Sequence, residues 1–245
     1  MKTRLLALLI LLPLLAPVSA EIPFVRESEL APGDLQHRST RIITHIIDTY
    51  HYKKRPLDDA LSADILETYL ENLDANRSFF LQPDIDDFRA RYRHTLDDSL
   101  KQVDLSPAYE IFKVFRKRVR ERIDYTTQLL DREYDFTIDE DYLFDRRDSD
   151  WAANTAAMNE LWRKRVKNDI LNLKLAEKET GDIRETLQKR YKRVMNSTFQ
   201  LKNSDVFQSF INAYTTSIEP HTAYFSPRTS ENFDISMRLS LEGIG

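Results

Sequence analysis

An all-α fold is what the 245-residue sequence predicts for most of its length. The chain contains only four glycines, two of them among its last three residues, and tight β-turns use glycine for backbone conformations with positive φ. Apolar residues recur every three or four positions along several long segments, which is the period of an amphipathic helix. We therefore expect a multi-helix domain over residues 21–236, followed by a single terminal strand.

The first 20 residues have the pattern of a secretory signal peptide. Two basic residues precede an apolar run over residues 5–15, and small residues lead up to Ala20. This pattern predicts export and cleavage after Ala20. A membrane anchor is the alternative, but the run is shorter than the roughly 20 residues that span a bilayer, and Pro13 interrupts it. No later segment is apolar enough to predict a stable membrane span.

The net charge and the absence of cysteine exclude or disfavour several classes of function. The whole chain has a formal net charge of −4, from 36 basic and 40 acidic residues, and the leader contains two of the basic ones and no acid. The exported form therefore has 34 − 40 = −6, which gives no global attraction to nucleic acid. The absence of cysteine excludes thiol nucleophiles, disulfides and thiolate zinc sites.

The first three helices are delimited by proline and glycine. A Pro-Gly pair precedes a predicted helix of about residues 34–53, and Pro56 separates it from a second whose apolar face lies within residues 61–73. Pro83 is placed to open a third helix, because proline is favoured in the first helical turn. These helices account for most of the chain before residue 95.

The later helices follow the same rules. Ser106 and Pro107 are a good start for a long helix, Gly181 marks a break between two others, and Pro220 must end the last. An acidic segment without helical period, residues 135–154, is predicted to be a surface loop. The expected bounds are 106–133, 156–177, 183–201 and 203–219, with one short turn ending at residue 233.

No catalytic, metal or cofactor site is predicted in the helical body. The five histidines lack the spacing of metal ligands, and the acidic run within residues 139–150 lacks the glycine of a calcium loop. His221 lies between Glu219 and Ser226, but residues so close in sequence are poor candidates for a catalytic triad. The basic run 116–122 should occupy the outer face of its helix, and nucleic-acid binding there is a weak alternative.

The last nine residues, 237–245, alternate apolar and polar side chains as a half-buried strand does. They end in Gly243, Ile244 and Gly245. Glycines leave successive backbone N–H groups unshielded, and such groups can bind a peptide's terminal carboxylate. These three residues are the one candidate binding site in the sequence.

Several stretches together resemble the tail-specific proteases, the long carboxy-terminal processing peptidases of the bacterial periplasm. They are LDANRSFFLQPDIDDF, ELWRKRVKNDILNLKL, DIRETLQKRYKR and the whole segment from NSDVFQSF to LEGIG. The resemblance covers nearly all of the exported chain. One departure is Glu219 before Pro220-His221-Thr222, where the family usually has aspartate.

The resemblance implies a helical N-terminal domain that leads into a PDZ domain and then a core with a serine nucleophile and a lysine base. Residues 237–245 would begin the PDZ domain, and Gly243, Ile244 and Gly245 would form an incomplete carboxylate-binding loop. No residue of this chain is assigned to the serine–lysine pair, so the chain alone should be inactive.

The resemblance also implies a location and partners. The location is the periplasm, the substrates are proteins with nonpolar C-termini, and the helical domain would enclose them and dock an adaptor lipoprotein. No cofactor is implied. The alternative is a non-catalytic periplasmic helical protein that binds unfolded chains or partners.

Overall fold

The computed structural model describes residues 23–241, and over this range it is built from α-helices without a β-sheet. A short 3₁₀ turn precedes them, and one isolated parallel bridge joins Leu81 to Ala152. The all-α prediction is thus confirmed for the described part of the chain. The helices are α1 Asp34–Tyr50, α2 Asp59–Leu73, α3 Gln82–Tyr92, α4 Leu96–Gln102, α5 Ser106–Leu130, α6 Thr155–Leu175, α7 Thr180–Phe199, α8 Asn203–Ile218 and α9 Pro227–Leu241.

Helix starts follow local capping chemistry. Asp58 before α2 and Asn154 before α6 each accept a hydrogen bond from the backbone N–H three residues on, at 3.0 Å in both cases. Such caps satisfy a donor that the first helical turn leaves free. Pro83 and Pro107 lie in the first turns of α3 and α5, where a missing N–H costs nothing.

The core forms around α5, the longest helix. This helix packs against α6, α7 and α8, and α2 packs against α8. Aromatic rings fill the space between them in edge-to-face and tilted pairs, a geometry that adds to the free energy of burial. Examples are Tyr69 with Phe210 at 5.4 Å, Phe79 with Phe115 at 5.7 Å and Phe79 with Trp162 at 5.6 Å between ring centroids.

Two features between helices differ from the expectation. The short helix α4 was not predicted. The break between α6 and α7 does not use Gly181, which lies in the first turn of α7; instead Glu177 adopts the left-handed conformation with φ of 57°. The N–H of Glu177 donates to the Lys174 carbonyl, and the N–H of Lys178 donates to the Leu173 carbonyl. This pair of hydrogen bonds is the Schellman motif, which ends many helices.

The acidic segment between α5 and α6 is only partly the surface loop that was expected. Most of its side chains are exposed, but Trp151 and Ala152 are buried in the core cluster. The Ala152 carbonyl accepts the Gln82 N–H at 2.9 Å, beside the isolated bridge. The end of the segment is therefore part of the fold.

The structure corrects the predicted terminal strand. Residues 237–241 are the end of α9, which begins at Pro227, so the expected short turn is a 15-residue helix and the strand is wrong over this stretch. The alternation of apolar and polar residues is too short to exclude a helix, since both periods fit a few positions. The leader 1–20 and residues 242–245 lie outside the described residues. Within residues 23–241, no helix has the length and apolar character needed to cross a bilayer.

Candidate functional site

The predicted carboxylate-binding residues Gly243, Ile244 and Gly245 lie outside the described residues. What the structure does show is the route by which the chain approaches them. The chain leaves α8, turns a corner over residues 219–222, returns along α8 and enters α9.

A buried carboxylate organises the corner. Glu219 is 9% exposed, and its Oε2 accepts hydrogen bonds from the His221 N–H at 2.9 Å and the Thr222 hydroxyl at 3.2 Å. The Thr222 hydroxyl also lies 2.9 Å from Nε2 of His51, the residue that follows α1. The corner thereby ties the end of α1 to the end of α8. The backbone N–H of His221 thus bonds within the corner, and the Glu219 carboxylate that accepts it stabilises the turn.

Two amide side chains of α8 hold the returning segment. Asn212 Oδ1 accepts the Tyr224 N–H at 2.7 Å. Gln208 Oε1 accepts the Ser226 N–H at 3.1 Å and the Thr229 hydroxyl at 3.0 Å. These bonds set the position from which α9 starts.

Beyond this start, α9 extends into solvent. Its residues 231–238 are all exposed, among them Phe233, Ile235 and Met237. An isolated helix of this length is marginal in water, since most helical stability comes from packing. The apolar side chains of α9 are thus a surface that gains stability when another element covers it.

A second exposed apolar surface lies on α1. The helix buries Gln36, Thr40 and Ile47, while a longer stripe of apolar side chains faces solvent. We call this stripe the α1 face, and it consists of Leu35, Ile42, Ile46 and Tyr50. Spacings of seven and four residues place them along one side.

A carboxylate also organises the loop within the motif LDANRSFF. Asp74 is 3% exposed and accepts the backbone N–H groups of Ser78 at 2.8 Å, Phe79 at 2.8 Å and Phe80 at 3.0 Å. Burial raises the pKa of Asp74 above its usual range, against the three hydrogen bonds that lower it. The Ser78 carbonyl in turn accepts the Trp162 indole N–H at 2.7 Å, which joins the loop to α6.

Several residues of the acidic and basic runs form ion pairs or are buried, although their sequence indicated solvent-exposed surfaces. In the acidic run, Glu140 pairs with Arg163 at 2.8 Å, and this guanidinium holds the pKa of Glu140 below its usual range. In the basic run, Arg116 and Arg122 are buried rather than on an outer face. Arg118 binds both carboxylate oxygens of Asp84, at 2.8 and 2.9 Å.

Comparison with known families decides what this bundle is. The family model described as "Tail specific protease N-terminal domain" matches residues 43–228, from within α1 to the start of α9. The chain belongs to the tail-specific protease family. The match covers most of the helix bundle and the corner before α9, so the resemblance seen in the sequence is confirmed.

A curated relative agrees with this family assignment. The "Tail-specific protease" of Haemophilus influenzae is 42% identical over 234 residues, which is 95% of this chain. The aligned part is 32% of the relative's length, so the chain spans about a third of that protein.

Sequence reasoning missed two surfaces, the α1 face and a basic cleft beside α5 that is described below. A signal for the first was present in the sequence, because α1 carries more apolar residues than the single one, Ile47, that it buries. For the basic cleft, the sequence shows the spacing of the basic residues, but it does not show which of them bind partners within the fold.

Proposed function

We propose that this chain is the helical N-terminal region of a longer, periplasmic, serine-type endopeptidase that degrades proteins selected by nonpolar C-termini. The observation that carries the proposal is the family match over residues 43–228, together with a relative about three times as long as the aligned part. The serine and the lysine base belong to the remainder of that longer protein. A lysine acts as such a base when burial lowers its pKa.

The route of the chain supports a place for the peptide-binding module beside α9. The corner at residues 219–222 and the amide contacts along α8 direct α9 away from the bundle. We propose that a PDZ domain begins next to α9, with Gly243, Ile244 and Gly245 contributing backbone N–H groups for a substrate's terminal carboxylate. The exposed apolar side chains of α9 would then pack against the rest of the protease.

A tail-exchange experiment tests the activity. The full-length protease and the isolated chain 21–245 are each incubated with a reporter that ends in nonpolar residues, and with the same reporter ending in two aspartates. We expect the full-length protein to degrade only the first reporter and the isolated chain to degrade neither. Steady cleavage by the isolated chain, or equal cleavage of both reporters by the full-length protein, would contradict the proposal.

We further propose that the α1 face docks an adaptor lipoprotein. Its support is the set of four exposed apolar side chains on one side of a helix that no other described element covers. A photo-crosslinking residue at Ile46 of the full-length protease, expressed in the periplasm, should give an adduct with an acylated protein of the membrane fraction. The same residue at Arg193, an exposed position on α7, is the control. An adduct with the protease's own remainder would refute this docking role.

A further inference from the structure

A basic cleft lies between the N-terminal segment, α5 and the end of α7. It has a volume of about 620 Å³ and is open to solvent. Its wall on α5 carries four cations at positions i, i+3, i+4 and i+7, a spacing that places them on one side of a helix. We call this the basic cleft, and its cations are Lys113, Arg116, Lys117 and Arg120.

The fold does not use these charges as ion pairs. Arg118 and Arg122, on the same helix, are bound to Asp84 and Asn159. In contrast, none of the four cations of the basic cleft has a carboxylate within ion-pair distance among residues 23–241. Glu27 and Glu110 attract Arg116 and Lys113 only at longer range. Cations without a close ion pair, gathered in a concave surface, are available for an external anion.

Two of the cations are held in place. The guanidinium groups of Arg116 and Arg120 lie 4.3 and 4.6 Å from the ring centroid of Phe199. Arg116 also donates from Nη2 to the Val25 carbonyl at 2.8 Å, and the Val25 N–H bonds to the Phe199 carbonyl at 2.9 Å. A planar guanidinium fixed by stacking loses little entropy when it binds a carboxylate, which favours specific recognition.

Burial of the Arg116 charge has a free-energy cost that a nearby anion would reduce. It is 7% exposed, and its Nη1 is buried without a hydrogen-bond partner. Burial, and then repulsion from Arg120, lower its pKa. An anion in the cleft lowers the cost of this buried charge even without direct contact, because Coulomb attraction is weakly screened beside an apolar wall.

The other walls define the kind of anion. Phe24, Val25, Val114 and Phe199 offer an apolar surface beside the cations, which suits a ligand with both carboxylates and apolar side chains. Glu27, Glu121 and Asp124 border the cleft and confine the positive charge to a short patch. A long polyanion such as nucleic acid would meet these acids, whereas a short segment fits between them.

We propose that the basic cleft binds an acidic peptide segment of a protein, with carboxylates on Lys117 and Arg120 and apolar side chains against Phe24 and Phe199. This interaction is separate from selection of a free C-terminus, and it stands whether or not the longer protein is a protease. In a protease it would hold a substrate at a second point, away from the terminal carboxylate.

A binding assay with matched variants tests the proposal. The exported form of the chain is titrated into a fluorescent peptide that alternates glutamate and leucine, and fluorescence anisotropy is measured. The variant Lys117→Gln with Arg120→Gln removes two charges from exposed side chains of the cleft. The control, Arg38→Gln with Arg41→Gln, removes two charges from exposed side chains of α1. Circular dichroism verifies that both variants remain folded.

We expect the cleft variant to weaken peptide binding at least about tenfold, as loss of charge-assisted hydrogen bonds does, and the control to leave it unchanged. A peptide with glutamine in place of glutamate should not bind. Equal effects of the two variants, or equal binding of the glutamine peptide, overturn the proposal. So does stronger competition by inorganic phosphate, anionic lipid vesicles or single-stranded DNA than by unlabelled acidic peptide.

Discussion

Replacing Asp74 with asparagine should destabilise the whole domain. The carboxylate of Asp74 accepts three backbone N–H groups from the loop that leads into α3, and it is almost completely buried. Asparagine has the same shape but only one acceptor oxygen. If that oxygen keeps the bond to Ser78, the side-chain NH₂ faces the N–H groups of Phe79 and Phe80; if the amide is flipped, the NH₂ faces the N–H of Ser78 instead.

The size of the effect follows from these contacts. A buried donor left without an acceptor costs about 1–3 kcal/mol, so the one or two donors left here cost about 1–6 kcal/mol. Part of this is offset because asparagine avoids the cost of burying a charge, a cost that also raises the pKa of Asp74. We expect a net loss of about 3 kcal/mol in the free energy of unfolding, a large part of the 5–15 kcal/mol typical of a domain.

Denaturant unfolding measures this loss. Far-UV circular dichroism reports the helices, and tryptophan fluorescence reports Trp162, whose indole binds the same loop. The midpoint should fall at an unchanged denaturant slope. Asp139→Asn, at an exposed carboxylate in the loop after α5, is the control and should change stability by less than about 0.5 kcal/mol. A loss below about 1 kcal/mol in Asp74→Asn would show that the three bonds do not organise the loop.

Three further predictions concern packing and pH. Trp162→Phe should cost about 2 kcal/mol in unfolding free energy, because it leaves the buried Ser78 carbonyl without its donor; an unchanged midpoint would contradict this. Ile46 is 48% exposed and Ile47 is 7% exposed. Ile46→Asp should therefore change the free energy of unfolding by less than about 0.5 kcal/mol, and Ile47→Asp should lower it by more than about 3 kcal/mol. Similar losses for the two variants in a thermal melt would refute the orientation of α1. Burial raises the pKa of Tyr134 to about 12 and raises the pKa of six other tyrosines, so the unfolded chain ionises first as pH rises. Stability should be unaffected by these groups below the unfolded pKa of about 10 and fall above it, with tyrosinate absorbance appearing together with unfolding.

Helix positions were predictable because their determinants are local. The expected helices 106–133 and 203–219 appear as Ser106–Leu130 and Asn203–Ile218, and proline or a capping side chain marks their starts. The helix α4 was not predictable in this way. It is short, and Val103, the residue that follows it, has a φ of 60°. A β-branched residue adopts this conformation only when surrounding packing imposes it.

Charged residues show where local reasoning fails. Arg118 belongs to a run that suggests a solvated outer face, yet it binds Asp84, 34 residues away in the chain. Arg122 is buried against Asn159, and Glu140 pairs with Arg163. Such partners lie on other helices, so their pairing exists only once the bundle has formed.

The sequence by itself determined the helical class and the order and approximate bounds of most helices, because capping, proline and apolar period act over a few residues. The resemblance of its motifs to the tail-specific proteases indicated the family. Tertiary structure decided which side of α1 is buried, which cations near residue 118 are paired and which line the basic cleft, and that residues 237–241 continue a helix. The physical reason is that burial and ion pairing depend on elements distant in the chain, and their free energies exceed the small local preferences.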